Sequence, residues 1–401
     1  MTAQTLGQTG SPRLAWLSAR FASVFANYRV TRDDLILIGV LLVATRVLIV
    51  VAIALAWGAD TARLEDGVSD LFCAWDCYWY TGIAEKGYQL PHEIPGIGFA
   101  TWAFFPLLPS LMAGLSWLTG LATVTSGVII ATIATGLGLY GNFLFARDLA
   151  GRAFARHATI VLALWPFAIH TAIPMTEALF VPLTIWALLL TRRRQWLAAG
   201  VAAGLLSATR TTGVFMFLPM LMIAVKDQGF WRVVTVRPGT ERIALGLALS
   251  GLGLALYMLH LNGLLGDALA FSHNQAAWQR RFAFPWMTIY DALNPLVISP
   301  RWLLANGLYV ATGLAGLWLA VVLWQRDLKP EAVFVAATLL IAFSSGSANS
   351  LPRYAAGLYP TVLAVALLSD TALRRLPVSV FLGAGLFAAA FTWAMEQFYV
   401  M

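Results

Sequence analysis

The chain reads as long apolar runs separated by short polar ones. Runs over 33–57, 124–146, 156–171, 175–191, 196–209, 212–226, 242–264, 302–324, 331–346, 355–370 and 378–399 approach the roughly 20 apolar residues that carry a helix across a bilayer. The pattern predicts an all-α polytopic membrane protein with about eleven transmembrane helices. The run 102–121 differs. It holds Pro106, Pro109, Gly114 and Gly120, and proline removes a backbone donor and kinks a helix. It is expected to lie on the outer surface or to re-enter the membrane.

Composition agrees with the pattern. Hydrophobic residues make up 60% of the chain and charged residues 11%, against roughly 25% charged in soluble domains. The net charge is +7, which by itself would suit nucleic acid. The basic residues sit in short loops between apolar runs, however, as cytoplasmic loops do, so no nucleic-acid partner is expected. Residues 1–32 are polar and basic and lack the short apolar core of a cleavable signal. The predicted organisation is a cytoplasmic segment, 1–32, followed by one transmembrane domain, 33–401.

Charge asymmetry then orients the spans. Arg13, Arg20, Arg29 and Arg32 precede the first span. Further basic groups are Arg147, Arg152 and Arg156; Arg192, Arg193 and Arg194; Lys226, Arg232, Arg237 and Arg242; Arg326 and Lys329; and Arg374 and Arg375. All become cytoplasmic if 102–146 crosses the bilayer once. The loops 58–123 and 266–301 then lie outside, and the first is acidic. Four polar clusters share that outer side: the Asp76 loop, Thr176-Glu177, Thr209-Arg210-Thr211-Thr212-Gly213, and Asn349 to Tyr354. Ionisable residues near membrane depth are costly and often functional, so a single outward-facing site is expected.

Trp75-Asp76-Cys77-Tyr78-Trp79-Tyr80 carries the most chemistry: a carboxylate among flat rings. The acid can serve as base for a hydroxyl, and the rings can stack on a pyranose. Trp75-Asp76-x-x-Trp79-Tyr80-x-x-Ile83-Ala84-x-x-Gly87-Tyr88, followed by Phe99 and by Phe105-Pro106-x-x-Pro109, resembles the PIG-V mannosyltransferases, multispanning glycosyltransferases of the GT-C type. Thr176-Glu177-Ala178-Leu179-Phe180, Thr209-Arg210-Thr211-Thr212-Gly213 and Pro352-Arg353-Tyr354 extend the resemblance in the same order. Cys77 stands where such enzymes commonly carry a small residue, a departure that bears on acceptor specificity.

The resemblance implies a GT-C fold, and inverting transfer of a sugar, most simply mannose, from a polyprenyl-phosphate donor. The acceptor would be a membrane lipid, a lipid-linked glycan or an exported protein. It implies Asp76 as the catalytic base; the blander reading is a helix N-cap. Glu177 can bind sugar hydroxyls or a cation, or merely complement a helix dipole. Arg210 and Arg353 suit the leaving phosphate, because guanidinium presents a planar fork of donors; the alternative is snorkelling to the interface. Arg280 and Arg281 lie outside against the charge trend and are further phosphate candidates. Tyr354 shares the Pro-Arg-Tyr position. Trp79 and Tyr80 can stack on substrate, or belong to the interfacial aromatic belt.

No metal ligand set and no required cofactor are expected, although a divalent cation at Glu177 or Asp70 stays open. Neither a Walker loop nor a Rossmann fingerprint occurs, which argues against a nucleotide-sugar donor. A helix between Cys73 and Cys77, the only two cysteines, disfavours disulfide geometry. Arg46, midway along the first span, should form an ion pair. His92, His170 and His273 read as structural. The expected location is a bacterial inner membrane, with the site on the non-cytoplasmic face. The rival readings are transfer of another hexose or a pentose, and a transporter or flippase.

Overall fold

A computed structural model describes residues 28–58, 72–89, 100–278, 280–296 and 299–395. The described residues are helical and contain no strand. The elements are α1 Arg32–Gly58, α2 Asp76–Lys86, α3 Leu107–Thr119, α4 Thr123–Ala163, α5 Glu177–Arg192, α6 Trp196–Ser207 and α7 Phe217–Gln228. There follow α8 Phe230–Val234, α9 Glu241–Ser250, α10 Leu252–Leu265, α11 Ala270–His273, α12 Pro285–Leu293 and α13 Pro300–Gln325. The chain closes with α14 Lys329–Phe343, α15 Leu351–Ala356, α16 Tyr359–Leu368 and α17 Ala372–Ala394. Residues 1–27, Asp60, Glu65, Asp66, Asp70, His92 and Phe99 lie outside the described residues.

The apolar runs become helices almost where expected, but many stop short. Among the described residues four helices are long and apolar enough to cross a bilayer: α1, α4, α17 and Trp302–Gln325 of α13. The pair α9–α10, bent by 46°, makes a fifth. The other expected spans hold shorter helices, such as Trp196–Ser207 and Tyr359–Leu368. Their apolar runs end in turns and 3₁₀ segments, Pro166–Thr171 and Thr211–Met216, beside polar residues. The run 124–146 and the first half of 156–171 join in α4, which is broken at Ala150 and Gly151.

Packing is that of a membrane bundle. Val40, Val43 and Val47 of α1 are more than half exposed; an apolar face with no protein partner suits lipid. Inside, Phe143, Phe180, Phe334, Phe343 and Tyr359 are buried together. α6 and α9 touch backbone to backbone: a Cβ at Gly200 would meet the Gly246 carbonyl oxygen at 2.5 Å. Small residues permit such contacts between membrane helices.

The basic loops gather at one end of the bundle. Arg152 and Arg156 donate to Asp34 at 2.7 and 2.6 Å. Arg193 donates to Asp148 at 2.8 Å, and Arg192 forks onto Glu331 at 2.7 and 2.8 Å. Arg192 closes α5, whereas Glu177 opens it. A rise of about 1.5 Å per residue puts those ends roughly 22 Å apart. The polar clusters around Glu177 therefore occupy the opposite end. Arg46 departs from the expected ion pair: it donates to Thr135 Oγ1 at 2.8 Å and to the Thr171 carbonyl at 2.9 Å. Hydrogen-bonding oxygens supply within the bundle what a carboxylate was expected to supply.

Candidate active site

Four separate segments deliver the charged residues. α2 begins at Asp76, after Trp75 adopts φ 56°. That conformation is costly for a bulky side chain and persists only where the surroundings impose it. Asp76 is thus the first helical residue and not the N-cap. α5 begins at Glu177, with the Leu179 and Phe180 amides bonded to the Thr176 carbonyl. Arg210 sits in extended backbone between α6 and a 3₁₀ turn. Arg353 lies within α15. The Leu107 amide donates to the Ala208 carbonyl at 3.2 Å, tying α3 to the Arg210 segment.

These side chains form one ionic chain. Arg353 Nη1 donates to Asp76 Oδ2 at 2.6 Å, and its Nε donates to Glu177 Oε1 at 3.0 Å. Its Nη2 reaches Glu177 Oε2 at 3.3 Å. Arg210 Nη1 pairs with Glu177 Oε1 at 3.0 Å. The Arg210 guanidinium also lies over the rings of Tyr354 and Phe180, 5.2 and 5.8 Å from their centroids. Two carboxylates balance two guanidiniums. Burial alone would favour a neutral Arg353, but Glu177 and Asp76 outweigh it and hold the guanidinium charged.

Exposure separates the members. The Asp76 side chain is 28% exposed, Arg210 15%, Arg353 12% and Glu177 3%. Asp76 is the carboxylate an incoming group can reach; Glu177 lies behind it. Arg353, expected on a phosphate, has its donors engaged by the two carboxylates. Glu177, expected on sugar hydroxyls or a cation, instead aligns both arginines. The Arg353 guanidinium fills the place that a cation bridging Asp76 and Glu177 would take. Among the described residues no group of three or more His, Cys, Asp or Glu could hold a metal ion. Gly357 makes the fit possible, since a Cβ there would come 2.4 Å from the Arg353 carbonyl oxygen and 3.7 Å from Glu177 Cγ.

The aromatic residues divide. Tyr80 is buried and meets Phe104 edge-on at 5.4 Å. Its ring has no face to offer a sugar, so the expected stacking role does not fit. Burial, with the Asp76 charge beside it, raises the Tyr80 hydroxyl above its usual range, so the phenol keeps its proton. Trp79 is only partly buried; it stacks on Phe104 at 5.2 Å and meets Trp278 at 6.3 Å. Trp278 was not singled out from the sequence. Its signal was a tryptophan beside the polar His273-Asn274-Gln275 and Arg280-Arg281 of the outer loop.

Arg280 lies one step from the cluster. It donates to Gln275 Oε1 at 2.8 Å and to Ser350 Oγ, pinning the 266–301 loop beside α15. The Arg281 amide bonds the Ser345 carbonyl at 3.1 Å, and its side chain is exposed. Neither arginine joins the ionic chain. Cys73 and Cys77 form a disulfide, with Cα atoms 5.2 Å apart. The expectation failed because α2 starts at Asp76: Cys73 precedes the helix, so the intervening turn brings the thiols together within the usual range.

An apolar cavity of about 640 Å³ lies among α2, α3, α6 and α10, and none of the four charged residues lines it. Ile83 and Tyr88 from the end of the Asp76 segment, Pro106 and Pro109, Leu205, and Leu256 line it. Tyr88 and Tyr257 fix its wall by donating to the Phe104 carbonyl at 2.8 and 3.1 Å.

No family model matches the chain, and no curated protein matches it. Solved structures do. The apo ArnT of Cupriavidus metallidurans aligns over 75% of this chain and 56% of its own, at 17% identity and a TM-score of 0.48. ArnT bound to undecaprenyl phosphate aligns over 80% of this chain and 69% of its own, at 14% identity and 0.46. The Archaeoglobus fulgidus oligosaccharyltransferase in complex with Zn and sulfate aligns over 90% of this chain and 53% of its own, at 15% identity and 0.43. This chain spans little more than half the length of that oligosaccharyltransferase.

Proposed function

We propose that this chain is an integral-membrane, inverting glycosyltransferase of the GT-C type. It uses a polyprenyl-phosphate sugar and works on the non-cytoplasmic face. The observation that carries the reading is the convergence of Asp76, Glu177, Arg210 and Arg353 from four distant segments into one ionic chain. An apolar cavity of about 640 Å³ is lined by Ile83, from the helix that Asp76 opens, and by Ala208, two residues before Arg210. A lipid-linked phosphate sugar needs both surfaces: cations for the phosphate and an apolar groove for the chain. Mannose is the sugar that the resemblance to the PIG-V enzymes favours. The acceptor is a membrane lipid, a lipid-linked glycan or an exported protein.

Asp76 takes the proton of the acceptor hydroxyl. The acceptor oxygen attacks the anomeric carbon from the face opposite the phosphate. The bond from that carbon to the phosphate oxygen breaks, and its electron pair leaves with the lipid phosphate. Arg210 is the better placed cation for that phosphate, because it pairs with Glu177, whereas Arg353 serves two carboxylates. Donors aimed at charge that develops in the transition state are the strongest catalytic element available. Arg353 couples the two ends: a phosphate drawing on its positive charge loosens its hold on Asp76 as the base is needed.

The test is a membrane assay with radiolabelled polyprenyl-phosphate mannose and, in parallel, other polyprenyl-phosphate sugars. Label should pass to a lipid, glycan or protein product. If none of the donors is consumed by wild-type membranes, the assignment as a transferase falls. If only a non-mannose donor is consumed, the fold and chemistry stand and the sugar changes.

A further inference from the structure

The base-carrying turn is closed by a covalent link that the proposed chemistry does not use. Cys73 and Cys77 bracket Ala74, Trp75 and Asp76, and both are buried. No side chain caps α2 at Trp75, whose φ is 56°. The bonds at the start of the helix include Cys77 N–H to the Ala74 carbonyl at 3.1 Å and Tyr78 N–H to the Trp75 carbonyl at 3.3 Å. One turn further, Thr81 Oγ1 lies 3.8 and 3.7 Å from the two sulfurs, holding the link against the helix. On the far side, Asp76 meets Arg353 at 2.6 Å, although that residue comes from α15.

We infer that the Cys73–Cys77 disulfide is a positioning element for the Asp76 carboxylate, and that transfer depends on its oxidised state. The inference rests on the transferase reading above. Without the link, the positive φ at Trp75 has no covalent restraint, and the turn can relax toward ordinary backbone. Asp76 then leaves its place opposite the anomeric carbon, while Arg210 and the cavity walls contributed by α3, α6 and α10 stay as they are. Reduction by an added phosphine breaks the S–S bond with two electrons from phosphorus, water supplying two protons to the sulfurs and its oxygen to the phosphine oxide, and yields two thiols. A displacement of about 1 Å at a reacting group can cost on the order of 10²-fold in rate.

The experiment compares wild-type protein, protein reduced with a phosphine until alkylation shows two free thiols, the reduced sample reoxidised, and the double variant Cys73→Ala/Cys77→Ala. Each is assayed for transfer from radiolabelled polyprenyl-phosphate mannose, and amide exchange is followed over residues 74–80. Reduction and the double variant should each lower kcat about tenfold or more, with the donor KM within twofold. Reoxidation should restore the wild type only. The double variant should ignore the reductant. If it does not fold, the reduced and reoxidised wild type decide alone. A kcat within twofold of wild type after reduction overturns the inference, as does a loss confined to KM. If wild type transfers no sugar at all, the transferase reading fails separately and amide exchange decides: faster exchange at 74–80 on reduction, with 351–356 unchanged, upholds the positioning role, and no change removes it.

Discussion

Glu177 holds the site together electrostatically, and its removal should show this in stability before it shows in activity. The carboxylate is 3% exposed and pairs with Arg353 and Arg210, which are 12% and 15% exposed. Glu177→Ala leaves both guanidiniums in a water-poor pocket. Arg353 retains Asp76, so the larger share of the penalty falls on Arg210, left with the Tyr354 and Phe180 rings. Breaking a buried pair from one side costs about 3–5 kcal/mol. The pair Arg194–Asp227 at the other end is 47% and 19% exposed, and exposed pairs contribute about 0–1 kcal/mol. Unfolding by SDS titration in mixed micelles measures both. Glu177→Ala should lose several kcal/mol, Arg194→Ala less than about 1. A cycle with Glu177→Leu and Arg210→Met should give a coupling of about 2 kcal/mol, because the double variant removes both charges together. Glu177→Ala within about 1 kcal/mol of wild type, or a coupling below about 0.5, refutes the view of Glu177 as a buried ionic hub.

Arg353→Lys should keep fold and donor binding but lower kcat by about tenfold or more, because an ammonium cannot fork between Glu177 and Asp76; steady-state kinetics with separate kcat and donor KM check it. Arg210→Lys should instead raise the donor KM. Gly357→Ala should lower thermal stability and activity together, since its Cβ would stand 2.4 Å from the Arg353 carbonyl oxygen; a melting curve unchanged from wild type contradicts this. For sidedness, Ala122→Cys should react with an impermeant thiol reagent applied from outside, and Lys226→Cys should not. Protection of position 122 removes the single crossing of 102–146.

Much of the bundle was legible because apolar runs have one solution in a bilayer. Asp76, Glu177, Arg210 and Arg353 stood out for the same reason: charge at membrane depth is expensive, and each sits in a short polar break. Their partners were not legible. Nothing in the sequence says that Arg353 bridges Asp76 and Glu177, because that contact joins residues 277 and 176 positions apart. Arg46 shows the converse, since hydroxyl and carbonyl oxygens answered a charge for which an acid was expected. Tyr80 and Trp79 are adjacent, yet one is buried against Phe104 and the other also meets Trp278; a composition of rings does not say which face is open. The disulfide hinged on where α2 begins, a boundary set by the positive φ at Trp75.

The central claim is that Asp76 is the base of a glycosyl transfer. Purified protein carrying Asp76→Asn, which keeps shape and removes the basic oxygen, should be assayed beside wild type with radiolabelled polyprenyl-phosphate mannose and membrane acceptors. Loss of a general base costs on the order of 10²–10⁴-fold, so wild type should form labelled product and the variant should fall by at least about 10²-fold while still binding a polyprenyl-phosphate analogue. Transfer by the variant within about threefold of wild type would contradict the account.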